Sequence, residues 1–181
     1  PLTLTKGFYS YGSGAWSGDG KQIWFTTRTD TLIHPDRDLA SRICVMNADG
    51  SGVRTVLTDK ARSFGQPTPS PDGQWLAFTT SQAAIKSGTL DQFHLGFLNL
   101  KNAGATYSIN PFDRSPGNLK WVTLTFPKNK KEVGKVEYVY FTASSNGGAP
   151  LYRAVPTVEK VEQLSDYDTG VTDFDVQPNQ V

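Results

Sequence analysis

The sequence predicts an all-β chain built from a repeated four-stranded unit, and three observations carry that reading. GKQIWFTT (20–27) and GQWLAFTT (73–80) align over eight positions, each entered through an SGDG or SPDG turn, with Phe25 and Phe78 53 positions apart. A glycine recurs at 12, 65, 117 and 170, at intervals of 53, 52 and 53, four residues before Trp16, Pro69, Trp121 and Phe174. Ile23, Phe25 and Thr27 alternate with Trp24 and Thr26, β-branched and aromatic residues recur throughout, and no stretch sustains a helical period. A repeat of about 40–50 residues holding four strands is the signature of a β-propeller blade.

The elements follow in order. PLTLT (1–5) matches VRTVLT (53–58) and reads as the outer strand of a preceding blade. The first blade occupies 12–58, with an inner strand expected to begin near Trp16, a second strand after SGDG, and two more in ICVMNADGSGVRTVLT (43–58). The Asp-Gly pairs of these turns supply the positive φ that tight hairpins need. The second blade covers 65–110, where LGFLNLKNAGATYSIN (95–110) repeats that last segment 52 positions on. The third, 117–165, has a looser copy in LYRAVPTVEKVEQLS (151–165) and an insertion, TFPKNKKEVGK (125–135), read as the solvated tip of an outer hairpin. VTDFDVQPNQV (171–181) starts another blade. Three blades with partial blades at 1–5 and 170–181 fall short of the 4–8 that close a ring. The expectation is one incomplete propeller domain over 1–181, a section of a larger protein, able to self-associate through its open blade edges.

Composition removes several classes of function. Lys plus Arg number 18 against 17 Asp plus Glu, a net charge of +1, too balanced for a nucleic-acid or anionic-membrane binder. No apolar run reaches the length of a membrane span. PLTLTKGF lacks the basic-then-apolar pattern of a signal peptide, so any such segment is expected to be already removed. Cys44 is the single cysteine, which excludes an internal disulfide framework and a multi-cysteine zinc site. No cofactor is implied.

The antiparallel meander puts the tight turns at one end and the long loops 28–41, 81–92, 59–66 and 110–117 at the other, the end where function on a β scaffold usually sits. There Arg62-Ser63 and Arg114-Ser115 recur 52 positions apart. An arginine fork binds a peptide carboxylate or a partner's aspartate. The competing reading pairs each arginine with its neighbour, Asp59 or Asp113, locking the crossing between blades, and a repeated residue favours that structural role. His34, Asp36, Arg37 and Asp38 cluster in one loop; consecutive loop residues seldom converge on one ion, so a solvated charged loop is favoured over a metal site. Nothing pairs His34 or His94 with a serine and an aspartate. Trp16, Trp24, Trp75 and Trp121 are expected to pack between blades.

SPDGQWLAFTT (70–80), with ICVMNADGSGVRTVLT (43–58), resembles the repeats of TolB-like propellers and of the propellers of the prolyl oligopeptidase superfamily. FDRSPGNLKW (112–121) and VYFTASSNGGAPLYRA (139–154) are similar to dipeptidyl peptidase V and acylaminoacyl-peptidase-like enzymes, and QLSDYDTGVTDFDV (163–176) fits the same pattern. That resemblance implies a propeller gating oligopeptides above a C-terminal α/β-hydrolase domain, in a secreted or periplasmic serine exopeptidase, with the cytoplasm as the alternative location. It departs from the family in one respect: no G-x-S-x-G nucleophile elbow occurs, so no catalytic residue is carried over and this chain alone is expected to be inactive. The alternative implied is a TolB-like or sensor propeller that binds protein partners without an enzyme domain.

Overall fold

The computed structural model describes residues 3–5, 9–28, 40–83, 92–102, 104, 106–127, 133–168 and 170–178. Among them the secondary structure is all strand: β1 (Ser10–Trp16), β2 (Gln22–Arg28), β3 (Arg42–Asn47), β4 (Arg54–Leu57), β5 (Arg62–Pro69), β6 (Trp75–Gln82), β7 (His94–Asn99), β8 (Ser108–Ile109), β9 (Pro116–Pro127), β10 (Val133–Ala143), β11 (Leu151–Ala154) and β12 (Glu162–Gln163). They form three four-stranded antiparallel meanders, β1–β4, β5–β8 and β9–β12, each in chain order.

Local chemistry sets the turns. In SPDG, Ser70 Oγ donates to Asp72 Oδ1 (2.6 Å) and accepts from the Trp75 N–H (2.9 Å), while Asp72 Oδ1 also accepts from the Gln74 N–H (2.9 Å). SGDG repeats the device with Ser17, Asp19, Lys21 and Gln22. Gly20 (φ 68°) and Gly73 (φ 66°) close the two turns in the left-handed region, where a side chain would be strained.

The recurring glycine marks a bulge. Ser13 (φ 50°), Gln66 (φ 44°) and Asn118 (φ 55°) directly follow Gly12, Gly65 and Gly117, and the register with the second strand breaks at that point in every blade. At Gly65 a Cβ would stand 2.7 Å from Thr79 Oγ1, so a side chain there would have to displace that hydroxyl. The placement of the strand heads needs correction. The first strand ends at Trp16 and Pro69, since the tight turn follows at once, and Trp121 lies inside β9. Phe174 is in no strand.

Apolar side chains bury in the seams between sheets. Trp24, Ile43, Val45 and Leu57 of the first sheet meet Phe64, Leu76, Phe78 and Leu98 of the second. Ala77, Leu95 and Phe97, on the other face of the second sheet, meet Leu119, Trp121, Val139, Phe141 and Tyr152 of the third. Phe25, Phe78 and Phe141 hold the same place in successive sheets, opposite Cys44, Gly96 and Tyr152, and all three are buried. Phe25, Cys44 and Met46 form a third cluster on the outward face of the first sheet, with Leu4 packed against it. Of the four tryptophans, Trp24 and Trp121 are buried and Trp75 packs half-buried, but Trp16 is 59% exposed: it ends β1 beyond the reach of the seam.

The third sheet is the irregular one. The insertion lengthens the β9–β10 hairpin, the first pair of the sheet and not an outer pair, and its tip at 128–132 lies outside the described residues. The β10–β11 connection (144–150) is short, closed by reciprocal backbone hydrogen bonds between Ser145 and Gly148. Thr3–Thr5 and 171–178 carry no strand, and Gly170 makes one parallel bridge to Ala149. No helix long and apolar enough to cross a membrane occurs among the described residues.

Candidate functional site

At the long-loop end the chain crosses from sheet to sheet through 58–61 and 110–115; Arg62-Ser63 opens β5 directly after the first crossing and Arg114-Ser115 ends the second. The serines make a repeated bond. The Ser41 N–H donates to Ser63 Oγ (3.2 Å) and the Phe93 N–H donates to Ser115 Oγ (3.1 Å), so each serine ties the start of a sheet to the residues leading into the third strand of the sheet before it. Ser41 Oγ adds a bond to Ser63 Oγ (2.8 Å) and contacts both the N–H and the carbonyl of Phe64.

The arginines lie close by but differ from one another. Arg62 is half-buried near Asp59, and its Nη1 is buried without a hydrogen-bond partner. The Asp59 carboxylate is held below its ordinary pKa mainly by the Ala61 N–H (2.8 Å) and the Tyr107 hydroxyl (2.8 Å), with the Arg62 charge contributing least. Arg114 Nη1 stands 3.9 Å from Asp113 Oδ1, with its guanidinium 6.0 Å from the centre of the Phe112 ring. Burial pushes the Tyr152 hydroxyl up in pKa, and the Arg114 charge acts against that rise. Asp36, Arg37 and Asp38, with His34, lie outside the described residues. His94 opens β7.

A cavity of about 310 Å³ opens at this end of the first seam, lined among others by Ser10, Thr27, Arg28, Ser41, Ser63 and Phe93. Neither Arg62 nor Arg114 lines it. Its chemistry is set by hydroxyls, with one guanidinium at its edge and the half-exposed Phe93 ring beside it. Thr27 and Thr80 close the repeated FTT motif. Thr80 Oγ1 donates to the Ser63 carbonyl (3.0 Å), whereas Thr27, 4% exposed, has a buried Oγ1 without a partner. The sequence contained signals for these residues, the last Thr of the repeated FTT and the Ser of the repeated Arg-Ser, but both were absorbed by the architecture. Phe93 carried no signal. Among the described residues no three of His, Cys, Asp and Glu gather as they would around a metal ion.

No family model matches the chain, and no curated protein matches it. Among solved structures it is similar to TolB from Acinetobacter baumannii, with a TM-score of 0.57 and 18% identity over 91% of this chain. The match spans 34% of that structure's length. A likeness at this identity is one of fold, and it makes the three stacked meanders consecutive blades of a β-propeller.

Proposed function

We propose that the chain is a non-catalytic scaffold of a β-propeller that holds peptide segments at the long-loop end, in the cavity between its first two blades. The observation that supports this most is the contrast between Thr80, whose hydroxyl is paired, and Thr27, a residue of the cavity lining whose hydroxyl is buried and unpaired. An unsatisfied buried hydroxyl is costly, and a ligand bond relieves that cost. Serine and threonine hydroxyls suit the amides of an extended peptide, Arg28 suits a carboxylate, and Phe93 suits an apolar side chain. The volume is at the lower end of ligand cavities, about 300–1,000 Å³, and takes one or two residues of a peptide. Fluorescence anisotropy with a labelled peptide library tests the reading. Thr27→Val and Phe93→Ala are expected to weaken binding at least about fivefold, roughly 1 kcal/mol. Binding unchanged in both variants would overturn it.

A second reading keeps the same scaffold but places it in a serine exopeptidase, where the propeller admits oligopeptides to an α/β-hydrolase domain and helps hold their amino end. The stretches 112–121 and 139–154, which build much of the third blade, favour it. That reading carries with it a secreted or periplasmic location. Its test is turnover of dipeptidyl-chromophore substrates. The chain alone is expected to be inert, because acyl transfer needs an activated serine, an oriented imidazole and oxyanion donors together. A longer product of the same reading frame is expected to be active. Turnover by the chain alone, with labelling by a serine-directed reagent, would refute the assignment, and an inert longer product would leave the scaffold reading alone in place.

A further inference from the structure

The same seam between the first two blades opens again beside the tight turns, far from the cavity just described. There a groove of about 410 Å³ is bounded by Gln22, Trp24, Arg54 and Val56 of the first blade and by Leu100 and Asn102 of the second. Its exposed lining is more polar than apolar, with the amides of Gln22, Asn99 and Asn102 beside the apolar side chains of Trp24, Val56 and Leu100. Arg54, exposed on β4, is the single charged side chain among the described residues that line the groove. Trp24 is 3% exposed, yet its indole Nε1 is buried with no hydrogen-bond partner. Trp121, the other buried tryptophan, shows the usual solution: its Nε1 donates to the Thr68 carbonyl across the second seam at 2.7 Å.

We infer that this groove binds an extended segment of a partner protein in which a carboxylate neighbours an apolar side chain. The carboxylate is drawn to Arg54, which no acidic residue among the described lining offsets. A carbonyl or carboxylate oxygen of the segment accepts the idle Trp24 N–H, and the apolar side chain rests on Val56 and Leu100. Tryptophan and arginine are the side chains that most often dominate such contacts.

The probe is the peptide acetyl-Gly-Asp-Leu-Glu-Leu-amide, titrated into chain labelled with ¹⁵N at its indoles. Trp24→Phe identifies the Trp24 indole resonance; if that variant fails to fold, single Phe replacements of Trp16, Trp75 and Trp121 identify it by elimination. The Trp24 indole proton is expected to move with saturation while that of Trp121 stays in place. Arg54→Gln, on an exposed strand position, and the Asn/Gln version of the peptide are each expected to weaken binding about tenfold, the scale of one charge-assisted contact. An unmoved Trp24 indole at millimolar peptide, or equal affinity for Arg54→Gln, would overturn the inference. So would a Trp24 shift that depends on chain concentration without peptide, which would give the groove to a second copy of the chain. Thr27→Val is expected to leave this titration unchanged, so the two ends of the seam are tested separately.

Discussion

Thr27 and Thr80 hold the same place in successive blades and differ in whether the hydroxyl finds a partner. Thr80→Val removes the hydroxyl bond to the Ser63 carbonyl and is expected to cost about 1–2 kcal/mol. Thr27→Val removes a hydroxyl that nothing satisfies and is expected to be neutral or slightly stabilising. Urea denaturation of the pair checks this, and the reverse order would refute the assignment of Thr27 as unpaired. Glu137 gives a pH-dependent counterpart. One carboxyl oxygen accepts the Thr123 hydroxyl (2.7 Å), the other is buried without a partner, and burial raises its pKa against the opposing pull of that hydrogen bond. With its folded pKa above the unfolded value, the native state holds the proton more tightly, so the residue's contribution to stability falls as pH rises through that window. Glu137→Gln is therefore expected to raise the melting temperature at neutral pH and to have little effect below the ordinary carboxylate range. An increase that is equal at both pH values would contradict this. At this scale the sequence was only half legible. Arg62-Ser63 and Arg114-Ser115 advertised themselves as pairs, and attention falls naturally on the charge. The bond that recurs is made by the serine, because a short hydroxyl reaches a neighbouring backbone N–H where a long guanidinium reaches past it.

Phe78 lies over Gly96 on the adjacent strand, and a Cβ at Gly96 would stand 2.3 Å from the Phe78 ring. Ring and glycine are one packing unit. Phe78→Ala is expected to cost about 3–5 kcal/mol. Gly96→Ala is expected to destabilise by pushing the ring out of place, while Lys101→Ala on an exposed turn should cost less than about 0.5 kcal/mol. Equal melting shifts for Phe78→Ala and Lys101→Ala would show the register to be wrong. The strands themselves were legible because alternation of period two and Asp-Gly turns are local signals. Their order through the unit was not. The spaced glycines fix a phase, but they mark the left-handed bulge inside the innermost strand and not its approach, which is why Trp16 and Pro69 close strands they were expected to open. Outer strands as short as β8 and β12, of two residues each, likewise leave no periodic trace.

The three blades touch in chain order, and the stack ends on two unlike faces. The last is dressed with charge: Arg153 pairs with Glu162 at 2.7 Å and lies over the Tyr138 ring, and Lys120 meets Asp173 and Phe174 of the C-terminal segment. The first is apolar, Phe25, Cys44 and Met46 with Leu4 against them. Leu4→Asp is expected to expose that cluster, accelerating the reaction of Cys44 with a thiol reagent and increasing self-association in sedimentation; unchanged thiol kinetics would show that Leu4 is not its cover. The repeat made this stacking legible from the sequence, whereas how the ends are finished depends on segments outside it. Thr123–Pro127 and Val133–Glu137 pair with each other past the reach of β11, which bonds only Val139–Thr142. A two-stranded ribbon of this kind adds little stability of its own. Replacing Leu124–Val136 by Asn-Gly, so that a type I′ turn joins Thr123 to Glu137, would therefore give the third blade the hairpin length of its neighbours. The shortened chain is expected to melt within about 4 °C of the original. The overhang is then a place where the gene can lengthen, shorten or accept foreign sequence without the stack of blades registering the change.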